Sequence, residues 1–247
     1  MAGAALLGRL TWLVAELTDS AAETPHVRTL MLDADGWQGH RAGQHLDVRL
    51  TAEDGYQAER SYSIASAPGE PLAITVELLE DGEVSPYLVG EARPGDRFEI
   101  RGPIGGYFVW DGGDGPLLLV GGGSGVVPLM SMIRHRAAAN DSTPVRLLYS
   151  SRSYEDIIYR AELDDLTAGG DGLEVFHTLT RSQPPGWTGY SRRIDAELLG
   201  EVAWPATEEP RVFICGSTRF VDAAADGLIA MGYPALSIRT ERFGATG

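Results

Sequence analysis

Leu117-Leu-Leu-Val-Gly121-Gly-Gly-Ser-Gly-Val-Val-Pro128 runs from an apolar strand through a glycine turn into the opening of a helix. At such a junction backbone N–H groups and the positive end of the helix dipole point at an anion, and absent side chains let a phosphate approach. Pro128 suits the first helical turn, where its missing N–H is no loss. Four glycines in the five positions Gly121 to Gly125 argue against an ordinary βα turn. Three other motifs fail by spelling. A P-loop needs Gly-Lys-Ser/Thr, and no lysine follows. A nucleophile elbow needs Gly two places after Ser124, where Val126 stands. A standard dinucleotide fingerprint needs a third Gly where the chain has Pro128. What remains is Gly123-x-Gly125-x-x-Pro128.

Downstream of the turn, strands are expected at Val145 to Tyr149, Leu173 to Leu179, Val212 to Cys215 and Leu236 to Thr240. Helical stretches fall between them, near Pro128 to Ala139, Ile157 to Leu166, Asp195 to Leu199 and Phe220 to Met231. This alternation predicts a five-stranded parallel sheet with helices on both faces. Upstream the rhythm differs. Thr11 to Thr18, Val27 to Leu32, His45 to Leu50, Ser61 to Ala65, Leu72 to Leu79 and Arg97 to Arg101 read as six strands separated by Gly, Asp-Gly and Pro-Gly turns. They predict a six-stranded antiparallel β barrel with one helix near Ser85 to Gly90. Asp111-Gly-Gly-Asp-Gly-Pro116 is the expected linker. The expected domains are therefore 1–112, the barrel, and 116–247, the α/β nucleotide-binding unit.

Composition narrows the chemistry. The chain has 247 residues, 43% hydrophobic and 22% charged, enough for two buried cores. Its formal net charge of -15 speaks against nucleic acid or anionic lipid as partners, since both call for basic surfaces. Cys215 is the single cysteine, so neither an internal disulfide nor a four-thiolate iron–sulfur centre is possible. His26, His40, His45, His135 and His177 show no paired ligand spacing, and no metal is assigned. No apolar run is long enough for a bilayer and no basic region precedes the opening Ala4-Ala-Leu-Leu7, so a soluble cytoplasmic protein is expected.

Arg60-Ser-Tyr62-Ser63 sets a cation, a ring and a hydroxyl on one strand. Alternation puts Arg60 and Tyr62 on the same face, and an arginine fork suits a phosphate. Taken with Gly-x-Gly-x-x-Pro, this motif resembles the ferredoxin–NADP reductase superfamily. The likeness runs from about Gly8 to Phe243 and is greatest to the reductase parts of bacterial oxygenase systems. It implies an FAD-dependent oxidoreductase that takes hydride from NADPH, or NADH, onto flavin N5 and passes electrons to an acceptor.

The resemblance also implies roles. Arg60 would pair with the flavin phosphates, Tyr62 would lie against the flavin, and Ser63 would approach N5. Gly82-Glu-Val84-Ser85 resembles a second phosphate grip, built from backbone amides and a Ser hydroxyl. Gly102-Pro-Ile-Gly-Gly106-Tyr-Phe108 would close the barrel and lead into the second domain. Gly121, Gly122, Gly123, Ser124, Gly125 and Pro128 would hold the nicotinamide dinucleotide. Cys215-Gly216 would sit beside the nicotinamide, with Cys215 positioning it. Glu241 would relay a proton and Phe243 shield the ring, within Glu241-Arg-Phe-Gly244. The catalytic set is then Ser63, Cys215 and Glu241.

An acidic residue after the second strand of such a sheet marks NAD; this strand instead ends in Ser150-Ser151-Arg152, and the next is followed by Arg181. The expected preference is NADPH, held through Ser151, Arg152 and Arg181. Because the sequence ends at Gly247 without an iron–sulfur domain, a separate electron-acceptor protein is expected, such as a ferredoxin, flavodoxin or oxygenase component, or else a small molecule. Two other readings stay open: a reductase of free flavin, and a non-catalytic module that senses flavin or nucleotide. Trp187, in the rigid loop Pro184-Pro-Gly-Trp-Thr-Gly189, is expected to pack, with flanking the adenosine as the other reading.

Overall fold

The structure is a computed structural model that describes residues 10–113 and 115–243. Short strands of alternating burial build the first sheet: β1 (Leu13–Thr24), β2 (Val27–Ala34), β3 (His45–Thr51), β4 (Gln57–Ser63), β5 (Leu72–Glu77) and β6 (Arg97–Ile104). They are antiparallel, in the order β4-β3-β6-β1-β2-β5. A bridge from Ile64 to Ile74 joins the two edges and closes the barrel. Leu17, Leu30, Leu46, Ile74 and Ile100 fill it, and Leu88 from a π turn (Tyr87–Glu91) enters the same core.

The second sheet is parallel. Its strands β7 (Leu117–Gly122), β8 (Val145–Ser151), β9 (Leu173–Leu179), β10 (Arg211–Ser217) and β11 (Ile238–Phe243) lie in the order β11-β10-β7-β8-β9. Four helices flank it: α1 (Val126–Ala138), α2 (Arg160–Ala168), α3 (Ala196–Val202) and α4 (Thr218–Ala230). Alternation along β7 shows how the layers form. Leu117 and Leu119 join one core with α1 and Leu163 of α2, whereas Leu118 and Val120 join another with Leu198 and Val221 of α3 and α4.

Element types match the expectation, but some ends move. β1 runs on to Thr24 through two register shifts, because the small and polar residues from Asp19 onward still pair with β2. β4 starts at Gln57 rather than Ser61: Ala58 and Arg60 pair with Leu50 and Val48 despite the charged stretch. Tyr159 adopts φ 59°, so α2 starts at Arg160 and not at Ile157. β11 begins at Ile238, after a single 3-10 turn at Ala235–Ser237 that leaves Leu236 exposed.

The two sheets share material. Ala42, Ala65, Phe108 and Trp110 pack in one core with α1 and Phe213, and the Phe108 and Phe213 rings meet edge to face at 5.2 Å. Gly43, at φ +97°, lets the chain pass there; a methyl group on it would lie 2.2 Å from Phe108 O. Arg134 of α1 donates to Ala65 O at 2.7 Å. Further along the seam Tyr159 bonds Thr75 Oγ1, which contacts Thr29 Oγ1 at 2.8 Å.

Candidate functional site

A cleft of about 590 Å³ opens between the barrel and the carboxyl ends of the parallel strands. Ligands of open α/β sheets bind on that side. The barrel contributes Thr24, His26, Glu77 and Leu79; the nucleotide unit contributes Gly122 to Ser124, Ser151, Arg152, Phe220 and Phe243.

The glycine turn divides by duty. Gly123, at φ +57°, has open space on the side where a side chain would go, and with Gly122 and Ser124 it lines the cleft. Gly121 and Gly125 are needed for packing instead. A methyl group on Gly121 would come 3.2 Å from Leu129 Cδ1, and one on Gly125 would lie 2.2 Å from Cys215 O. Pro128 is buried in the first turn of α1. Ser124 Oγ donates to Glu77 Oε2 at 2.7 Å, linking the turn to the barrel. Phe220, read from sequence only as part of a helix, covers the glycines: methyl groups on Gly122 and Gly216 would approach its ring to 3.0 and 2.6 Å.

The two ends of the expected catalytic set meet through a residue that sequence reading passed over. Ser63 is paired with His45 across β4 and β3, which sets their side chains on one face. His45 Nδ1 lies 3.4 Å from Glu241 Oε1. Glu241 in turn pairs with Cys215 across β11 and β10. Ser63, His45, Glu241 and Cys215 therefore form one contiguous line from barrel to nucleotide sheet. Only 1% of Cys215 is exposed, and burial, reinforced by the Glu241 carboxylate, pushes its thiol well above the ordinary range. A neutral thiol suits positioning. Glu241 Oε2 is buried and has no hydrogen-bond partner among the described residues. Phe243, 39% exposed, stands on the cleft wall; Gly244 lies outside the described residues.

On the barrel, Arg60 is exposed and its Nη2 holds Glu83 Oε2 at 2.5 Å. A carboxylate oxygen thus already occupies the guanidinium, so the side chain fits an anion of phosphate type. Tyr62 packs against the barrel core, and burial pushes its hydroxyl pKa up, keeping it a neutral phenol. Ser85 and Val84 are both buried at the start of the π turn. The Ser85 hydroxyl accepts from Leu79 N at 3.0 Å within its own loop, and Val84 is buried in the barrel core. Gly82 is hemmed in as well: a methyl group there would lie 2.9 Å from Ser85 Oγ.

At the far end of the cleft Ser151 is 4% exposed, and its Oγ is buried with no partner among the described residues. Arg152 lines the wall, and Arg181 N donates to Arg152 O at 2.9 Å, which brings the two arginines together. Among the described residues neither has a carboxylate within ion-pair distance. Asp156 on the same wall accepts from Ser153 Oγ at 2.9 Å. Trp187 packs on its own loop, its Nε1 donating to Tyr190 O at 3.0 Å. Sequence reading missed His45, Glu77 and Phe220. No local motif marks them, because the ladder register and the seam between the sheets put them in place.

Both sheets match known proteins. An oxidoreductase FAD-binding domain matches residues 15–109, and an oxidoreductase NAD-binding domain matches residues 119–226. Ferredoxin–NADP reductase B of Sorangium cellulosum is 36% identical over 229 residues, spanning 89% of this chain and 93% of that protein. The reductase subunit of glycine betaine monooxygenase from Chromohalobacter salexigens is 32% identical; it matches 91% of this chain, which spans only 62% of that relative. Among solved structures, the FAD/NAD-binding domain of nitric oxide dioxygenase from Vibrio cholerae superposes with a TM-score of 0.84 at 22% identity, covering 94% of this chain and 99% of its own. A ferredoxin–NADP reductase from Neisseria gonorrhoeae with bound FAD and NADP gives 0.80 at 21% identity, covering 94% and 98%.

Proposed function

The chain belongs to the ferredoxin–NADP reductase superfamily of FAD- and NAD-binding oxidoreductases, and we propose that it draws on NADPH and serves a separate one-electron acceptor protein. It is an NAD(P)H-dependent flavoprotein reductase. Bound FAD supplies the chemistry, accepting a hydride from the nicotinamide and passing electrons onward.

The protein's part is to bind, orient and manage one proton. Arg60 takes the flavin phosphate, and Tyr62 gives the flavin a firm, neutral wall. Gly122, Gly123 and Ser124, at the start of α1, receive the pyrophosphate of the dinucleotide. Gly125 and Gly216 let β10 and the turn approach closely, which fixes the Cys215 strand end; the neutral thiol sets the depth to which a nicotinamide enters. Glu241, 3.4 Å from His45 and next to the Ser63 ladder position, is placed to relay a proton toward the reacting ring. Phe243 shields the site from water until the nicotinamide arrives.

The observation that carries this reading is the His45–Glu241 contact, because it brings the Ser63 and Cys215 ends of two separate sheets to one place. Ser151 Oγ with Arg152 and Arg181 supports the 2′-phosphate. The acceptor we favour is a ferredoxin, a flavodoxin or an oxygenase component, in keeping with the kinds of relative found. Among the described residues no helix is long and apolar enough to cross a membrane.

One anaerobic experiment tests the reading. NADPH should bleach the flavin absorption of the purified holoprotein, with kcat/KM above that for NADH. Protein that takes up no FAD, or whose flavin stays oxidised, would defeat it. A panel of acceptor proteins, scored by rate, then identifies the class of partner. Loss of flavin on gel filtration, with turnover of added flavin, would instead mark a free-flavin reductase.

A further inference from the structure

We propose that Tyr56, anchored by Glu83, is the platform on which the adenine ring of FAD lies, so that this pair selects FAD over FMN. The inference rests on the reading of Arg60 as the flavin-phosphate cation and extends it to the far half of the ligand.

Tyr56 sits on the turn between β3 and β4 and is 58% exposed. The turn is held firmly. Ala52 N donates to Tyr56 O at 2.8 Å, Gly55 N to Ala52 O at 2.9 Å, and Tyr56 N to Asp54 Oδ1 at 3.0 Å. Its hydroxyl donates to Glu83 Oε1, while Glu83 Oε2 holds Arg60. The ring is therefore fixed at both its backbone and its hydroxyl, yet remains largely bare. Fixing a large side chain costs conformational entropy, and here no burial offsets that cost within the chain. A covering ligand would supply it.

The chemistry of the group matches one kind of ligand. A flat π surface accepts a planar base, a carboxylate accepts from a ribose hydroxyl or an exocyclic amine, and the neighbouring guanidinium takes the phosphate. That sequence of base, ribose and phosphate is the adenylate half of FAD. FMN ends at its phosphate and reaches Arg60 alone.

The test measures flavin release from the full-length protein, loaded with FAD or in parallel with FMN. Dissociation constants follow from the flavin fluorescence that returns on dilution. Tyr56→Ala should raise the FAD constant about tenfold to a hundredfold, in line with aromatic–base stacking, and leave the FMN constant within about twofold. Tyr56→Phe keeps the ring but frees it from Glu83, and should weaken FAD less than Tyr56→Ala yet measurably, without moving the FMN constant; no loss at all would remove Glu83 from the proposal. The proposal is overturned if Tyr56→Ala leaves FAD binding unchanged, or weakens FAD and FMN equally. Arg60→Ala separates the two levels, because it should weaken both flavins; if both constants stay put, the phosphate reading itself is wrong and the platform falls with it.

Discussion

Ser124 Oγ donates to Glu77 Oε2 at 2.7 Å, so a barrel carboxylate stands on the turn proposed to receive the dinucleotide pyrophosphate. Like charges at a few ångströms through water-like screening cost on the order of 1 kcal/mol. Glu77→Gln keeps an acceptor for Ser124 and removes the charge. The KM for NADPH should fall roughly fivefold with kcat unchanged, and it should become more sensitive to salt. Steady-state kinetics at low and high ionic strength will check this; a constant KM would leave Glu77 as a tether only.

Cys215 should be inert while the protein is folded. Burial and the Glu241 carboxylate keep the thiol protonated at neutral pH, and the thiolate is the reactive form. A disulfide reagent should label no thiol in native protein and one per chain in denaturant. Fast native labelling would mean that β10 opens at its end.

Gly125→Ala should break the turn. The added methyl group would sit 2.2 Å from a backbone oxygen of Cys215, and neither strand end has a flexible side chain to yield. NADPH binding should be lost while FAD is retained, which titration of the flavin spectrum with NADPH will reveal.

Arg152→Ala should narrow the gap between the two nicotinamide cofactors. Losing one charge-assisted contact to a phosphate costs about 1.5–3 kcal/mol, so kcat/KM for NADPH should drop tenfold or more while that for NADH moves little.

Acid should loosen the nucleotide unit through His177. Burial holds its imidazole below the ordinary value of 6.5, so the unfolded chain takes up the proton first. The stability it contributes is complete above that value and is lost as pH falls from there toward the folded pKa. His40 shifts in the same direction. Tm should decline as pH falls below about 6.5, and His177→Phe, which keeps the ring contacts to Tyr149 and Trp187, should flatten part of that slope.

Much of this was written in local sequence. The run from Leu117 to Pro128 reveals a strand, a turn and a helix because each demands its own residue types within a few positions. Arg60, Ser63 and Cys215 stood out only through the family resemblance, since a polar strand or a lone cysteine carries no such signal by itself. His45 did not: a histidine at the start of a strand carries no label, and its meaning arises when ladder register sets it beside Ser63 and the β10–β11 pairing brings Glu241 to it. Phe220 acquires its role only because two glycines distant in sequence fold beneath it. The Ser85 hydroxyl is a third case. Alone it reads as an N-cap, only the family resemblance suggests a ligand contact, and the fold adds a bond from Leu79 N that no local pattern foretells.

The core that joins Ala42, Ala65, Phe108 and Trp110 to α1 and Phe213 has a practical consequence for anyone recombining this enzyme. Neither half carries a finished surface at the seam, so separate expression should expose greasy faces that aggregate. A hybrid that grafts a cousin's nucleotide half onto this barrel must bring along the matching seam residues, or the line from Ser63 through His45 and Glu241 to Cys215 will break.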